Sequence, residues 1–189
     1  MYRVERGAIE VVDYDRAWAA QFESLRSLLA TALGDSALSI EHVGSTAVPG
    51  LAAKPIIDID IVVASSSKVP TVIQRLATLG YLYQGNMGIE DRGAFKSPTK
   101  GDQPAHHLYV CTQDSVALKD HLVIRDFLRS NPEAAARYGA LKKNLATRFP
   151  NRRDQYVDGK TQFLLKILEQ SGFSHHVLSA IAEANRAKS

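Results

Sequence analysis

Two aspartates separated by one residue, Asp58 and Asp60, are the groups in this chain best placed to do chemistry. They sit in the apolar run Ile56 to Val63. Such a run reads as a buried strand, and side chains at i and i+2 of a strand share one face. Asp58 and Asp60 then stand side by side, while Ile57, Ile59 and Ile61 point into a core. Two aligned carboxylates suit a hard divalent cation, Mg²⁺ or Mn²⁺, which takes oxygen ligands and commonly bridges carboxylates to phosphates. Upstream lies the turn Gly44-Ser45-Thr46. Its backbone N–H groups can receive phosphate oxygens, as turns that open helices do. The chemistry these residues suggest is phosphate binding with carboxylate-held metal.

Other residues can join this constellation. His42, two positions before Gly44, is either a buried strand-end histidine or a metal ligand beside Asp58 and Asp60. The spacing matches no standard zinc signature. Lys54, immediately before Pro55, can reach a phosphate or simply be solvated. Arg92 and Lys96 flank Phe95 and can line the same groove. His175-His176 fall on different faces of a helix start and read as surface residues.

The elements that must position these groups follow from periodicity. Trp18, Phe22, Leu25, Leu29 and Leu33 mark an amphipathic helix over 15–33, capped by Asp13 or Asp15. A strand is expected over 38–43, a short helix around 46–52 and a strand over 56–63. Ser67 is the expected cap of a helix over 68–79, with Gly80 closing it. Strands are expected near 81–84, 89–96 and 106–112, with a Pro/Gly-rich loop at 97–105. Thereafter the chain turns helical: about 115–129, then 132–148 behind Asn131-Pro132, a loop over 150–159, a helix over 160–171, and a last one from Ser174 to about 186. This is one α+β domain, with a sheet-containing core over about 10–113 and a helical portion over about 114–187.

Composition narrows the class. Of 189 residues, 45% are hydrophobic, enough for a buried core and against disorder. No apolar run is long enough to span a membrane, and the opening stretch lacks a signal-peptide pattern, so a cytoplasmic location is expected. The lone Cys111 excludes an internal disulfide and reads as a small core residue. Net charge is only +3, but residues 119–160 hold ten Lys/Arg against five Asp/Glu. That excess is either a solvated helical face or a basic wall facing phosphates. No aromatic-interleaved basic stripe argues for nucleic acid.

Gly44-Ser45, a spacer and Asp58-Ile59-Asp60 in an apolar strand resemble the nucleotidyltransferase superfamily. The longer string HVGSTAVPGLAAKPIIDI, residues 42–59, resembles the GrpB family, also called UPF0157. So do Val12-Asp13-Tyr14, His106 to Val110, Arg125 to Arg129, Tyr138, Leu141-Lys142, Tyr156 and Lys160. The resemblance spans roughly residues 10–170. It implies a nucleotidyltransferase-like mixed sheet flanked by helices. In that superfamily a hydroxyl attacks the α-phosphate of a nucleoside triphosphate, with carboxylate-bound metals assisting. Asp58 and Asp60 would be catalytic, Gly44, Ser45 and Thr46 would hold phosphates, and Lys142, Lys160 and Tyr156 would contact the nucleotide from the helical half.

The superfamily's third carboxylate belongs on a later strand. Here that strand, 106–112, carries no acid. His107 and Tyr109 share its site-facing side, with His107 a further metal-ligand candidate, while His106 pairs with core-like Leu108 and Val110. Imidazole is a poor Mg²⁺ ligand. Two readings therefore stand. One is nucleotidyl transfer to a small-molecule or macromolecular acceptor. The other is a non-catalytic module that binds a nucleotide or CoA, since similar domains are fused to dephospho-CoA kinase. No G-x-x-x-x-G-K-[ST] loop is present, so the chain is not that kinase itself.

Overall fold

Five strand segments, with apolar residues alternating along the longer ones, build one mixed sheet in this protein, described here from a computed structural model covering residues 7–98 and 103–186. The opening six residues and residues 99–102 of the expected loop lie outside the described residues. The strands are β1 (Ser39–Val43), β2 (Ile57–Val63), β3 (Leu82–Tyr83), β4 (Arg92–Lys96) and β5 (His106–Thr112). Their spatial order is β1-β2-β5-β4-β3. β2 and β5 run parallel; every other pairing is antiparallel.

Strand alternation gives the sheet two chemically different faces. Ile57, Ile59, Ile61, Val63, Leu108, Val110 and Phe95 form a core with α1 (Ala17–Leu33) and α2 (Val69–Ala77). Trp18, Phe22, Leu25, Leu29 and Leu33 supply the α1 side of that core, as their helical spacing requires. Asp15 caps α1, accepting the Ala17 N–H at 2.8 Å. Gly80, at φ +85°, closes the turn after α2.

The other face carries Asp58, Asp60, Val62, His107, Tyr109 and Cys111. It packs against α3 (Val116–Ser130) through Val62, Cys111, Ala117 and Leu118. Cys111 is buried, and burial pushes its thiol up to about 12, an inert core residue. α4 (Pro132–Arg148), α5 (Arg153–Gln170) and α6 (His175–Asn185) complete the helical half. Leu128, Ala135, Tyr138 and Ile167 pack there with Val48 and Leu51 from the turn segment. Among the described residues, no helix is long and apolar enough to cross a membrane.

Three local expectations need correction. The helix expected around 46–52 is a single 3₁₀ turn, Ser45–Ala47. Pro49 and Gly50, the latter at φ +80°, turn the chain before another helical turn can form. Ser67 caps nothing: its hydroxyl pairs with Ser65, and a 3₁₀ turn leads into α2. Asn131 stands at the N-cap of α4 with Pro132 opening the helix, as expected, and its side chain donates back to the Phe127 carbonyl. The loop expected over 150–159 is helical from Arg153 onward. Gly159 lies inside α5, where a Cβ would come within 2.5 Å of Leu145 Cδ2. The glycine is there so that α4 and α5 can approach closely.

Candidate functional site

The register of three strands brings the first candidate residues together. Val43 lies opposite Asp58, and Asp58 opposite His107. The chain then turns at Gly44, which holds φ +71° and ψ −168°. A Cβ at this glycine would overlap Asp58 Oδ2 and lie 3.0 Å from Asp58 Cβ. Only glycine lets the turn approach the carboxylate, so the Gly44/Asp58 spacing read in the sequence is a real contact.

Asp58 Oδ1 accepts a hydrogen bond from His107 Nδ1 at 2.8 Å. Burial works against the Asp58 carboxylate, but the hydrogen bond and charge of His107, with His121 and Lys160, hold it below the usual range. Lys142, from α4, is 2% exposed and donates to Ser45 Oγ at 2.7 Å. Its ammonium also stands 4.6 Å from the Tyr138 ring centre, a cation–π distance. Burial and the neighbouring Lys160 push the Lys142 amine down to about 7, against the pull of Asp58. Burial also lowers Lys160 to about 8, against the same pull from Asp58.

These groups surround two adjoining cavities. An inner one of about 70 Å³ is lined by Ser45, Thr46, Lys54, Asp58, His107, Lys142, Tyr156 and Lys160. An outer one of about 590 Å³ shares Lys54, Asp58, His107, Tyr156 and Lys160, and adds Tyr109, Arg153 and Val157. Lys160 Nζ lies 5.4 Å from the Tyr156 ring centre. Most of the expected phosphate-side residues thus converge: Gly44, Ser45, Thr46, Lys54, Lys142, Tyr156 and Lys160. Two do not. Arg92 sits 4.2 Å over the Tyr109 ring, and Lys96 is exposed two strands away from Asp58; neither lines either of these two cavities.

Asp60 shares the face of Asp58 but not its surroundings. It is fully buried, and its Oδ2 accepts from His121 Nδ1 of α3 at 2.7 Å. Burial disfavours charge on His121, but the charge and hydrogen bond of Asp60 prevail and raise it to about 9. Asp120 stands beside this pair, and burial raises its carboxyl to about 6. Asp60 Oδ1, Asp120 Oδ1 and Arg92 Nε have no protein hydrogen-bond partner. The sequence reading missed His121 and Asp120, which lie on a helix face with no strand pattern to mark them.

His42 is turned away from Asp58. Its Nε2 lies 3.0 Å from Thr46 Oγ1, which in turn donates to the Ile56 carbonyl. The Thr46 hydroxyl has one hydrogen, so His42 must be the donor to it. The imidazole stacks on Phe22 at 4.5 Å, and burial lowers it to about 4, so it is neutral. His106 faces the core, bonded to Pro104 O and Tyr81 Oη, both at 2.7 Å. Two arginines of the segment 125–129 brace the turn from α3. Arg125 pairs with Glu41 at 2.9 Å and donates to the His42 carbonyl, and Arg129 donates to the Ala47 carbonyl.

This arrangement does not fit the divalent cation expected from Asp58, Asp60, His107 and His42. Each aspartate is already engaged by a histidine, Asp60 and His42 are closed off from the cavities, and no third acid joins Asp58. Among the described residues, no three His, Cys, Asp or Glu side chains form a group able to hold a metal ion.

The mixed sheet with its Gly-Ser turn, paired strand aspartates and helical flank is a nucleotidyltransferase-like α+β fold. The chain resembles Cid1 in complex with its short product ApU over 72% of its length and 43% of that chain, with a TM-score of 0.52 at 12% identity. That likeness is one of fold alone. The chain belongs to the GrpB protein family, which it matches over residues 8–170. The crystal structure of the conserved protein GrpB from Enterococcus faecalis superposes with a TM-score of 0.76 at 37% identity, covering 90% of this chain and 98% of that one. The glutamate-rich protein GrpB of Alkalihalophilus pseudofirmus is 34% identical over 173 residues, 90% of this chain and 99% of its own length. The UPF0157 protein YqkA of Bacillus subtilis is 35% identical over 156 residues, 82% of this chain but 45% of YqkA. A dephospho-CoA kinase of Mycolicibacterium paratuberculosis is 29% identical over 178 residues, again 82% of this chain and 44% of the kinase. The chain therefore spans less than half of these last two relatives.

Proposed function

We propose that the double cavity binds a nucleotide or CoA, phosphates inward, on a nucleotidyltransferase-like scaffold. The observation that carries this reading is the convergence of Lys54, Lys142 and Lys160 around the Gly44-Ser45 turn, with Tyr156 lining both cavities. In the inner cavity three amines face one histidine-paired carboxylate, a net cationic lining that favours phosphate. The outer volume of about 590 Å³ is in the range of small-molecule sites. The likeness to a dephospho-CoA kinase over part of its length supports CoA among the candidates.

A second reading, nucleotidyl transfer to an acceptor, is favoured by one observation: Asp58 lines both cavities beside the Gly44-Ser45 turn, on a fold shared with Cid1. Incubation with α-labelled nucleoside triphosphates tests it through release of labelled nucleotidyl product.

Calorimetric titration with ATP, CoA and adenosine tests the binding reading. Lys160→Ala should weaken ATP and CoA by about tenfold or more, since a charge-assisted hydrogen bond contributes roughly 1.5–3 kcal/mol and about 1.4 kcal/mol is tenfold. Adenosine affinity should be unaffected. Equal losses for all three ligands, or no binding of ATP or CoA by the wild type, would overturn the proposal.

A further inference from the structure

We infer that this cleft handles phosphate without a divalent cation: Lys54, Lys142 and Lys160 supply the positive charge, while His107 and His121 hold the two strand carboxylates out of use. The ligand arm of this inference rests on the reading of the cleft as a nucleotide or CoA site; the metal arm does not.

The donor chemistry carries the argument. A Mg²⁺ or Mn²⁺ site needs several oxygens aimed at one point. Asp58 has one oxygen bonded to His107 at 2.8 Å and the other pressed against Gly44. Asp60 is wholly buried, bonded to His121 at 2.7 Å, and lines neither cavity. The two carboxylates share a strand face yet occupy separate compartments, because α3 covers one and not the other. At the register position facing Asp58 on β5 stands His107, not an acid.

The charges point the same way. Lys142 and Lys160 both line the inner cavity with Asp58. A dication brought there would meet two amines as well as one already paired carboxylate. A phosphate brought there meets Ser45 Oγ, the turn and the amines. Its arrival favours their charged forms, since an opposite charge at close range stabilises the ionised state. The cavity is built for the anion, not for the metal that usually accompanies it.

Mn²⁺ alone provides the first test. Titrated into the wild-type protein, it should leave the His107 and His121 ring signals sharp in NMR spectra. Binding of Mn²⁺ should be the same in Asp58→Asn as in the wild type by electron paramagnetic resonance. Selective bleaching of those ring signals, or bound Mn²⁺ that Asp58→Asn abolishes, would overturn the inference; the bleaching test needs no variant. The second arm measures ATP affinity by calorimetry in EDTA and in Mg²⁺. ATP should bind in EDTA at least as tightly as in Mg²⁺, and binding only with Mg²⁺ would overturn it. Absence of ATP and CoA binding in both buffers overturns the nucleotide reading instead, and the Mn²⁺ arm then decides this one.

Discussion

Replacing His121 by asparagine should cost stability at pH 6 and almost none at pH 9.5. The perturbation is chosen because asparagine can still donate to Asp60 from nearly the place of Nδ1, but carries no charge. In the folded protein the imidazole is raised from 6.5 to about 9, Asp60 outweighing the cost of burial. The His121 side chain is 25% exposed and Asp60 is not exposed at all, so solvent screens the pair little. A folded-state pKa above the unfolded one means the native state binds the proton more tightly. The resulting stability is fully present below about pH 6.5 and is lost as pH rises through about 9. At about 1.4 kcal/mol per unit, the shift corresponds to a ceiling on the order of 3 kcal/mol. Urea unfolding of wild type and variant, at intervals from pH 6 to pH 9.5, measures the difference. Titration of other groups cancels in that difference. A gap of the same size at every pH would show that His121 is only a neutral hydrogen-bond donor, and would refute the charge argument.

Three further outcomes are expected. Gly44→Ala should destabilise the protein by about 1–3 kcal/mol from backbone strain alone, with more from the Asp58 overlap, measured by chemical denaturation; a change near zero would mean the turn relaxes away from Asp58. Gly159→Ala should destabilise by about 1–3 kcal/mol through overpacking against Leu145, although alanine is the better helix former; a higher melting temperature would refute the close α4–α5 contact. His42 is lowered to about 4 by burial, so the folded state resists its protonation. Stability should fall by an amount on the order of 3 kcal/mol as pH drops from about 6.5 to 4, and His42→Gln should flatten that slope in acid unfolding curves.

Local pattern was enough to find the strands and the face each side chain occupies, although β4 begins only at Arg92, after the left-handed turn residue Asp91, and not at 89. Ile57, Ile59 and Ile61 had to point one way and Asp58 and Asp60 the other, because the strand period is two. The same rule put His107 and Tyr109 on the site side of β5 and His106 on the core side, where each is found. The approach of Gly44 to Asp58 was foreshadowed by spacing in residues close along the chain. Lys142 and Lys160, marked by family resemblance, meet at the cavity from two different helices.

What the linear pattern did not carry are the contacts between residues far apart in the chain. His121 meets Asp60 across 61 positions, and that contact, made by the packing of α3 on the sheet, separates Asp60 from Asp58. Arg125 and Arg129 reach across more than eighty residues to brace the turn. Glycine weakens an isolated helix, so propensity alone disfavours Gly159 within one. In the folded chain the same missing side chain lets α4 and α5 close together, so packing outweighs propensity. Residue identity along the sequence determined which groups could do chemistry and which face of each strand they occupy. Tertiary packing alone decided which groups share a compartment, because burial and partner choice depend on elements brought together only by the fold.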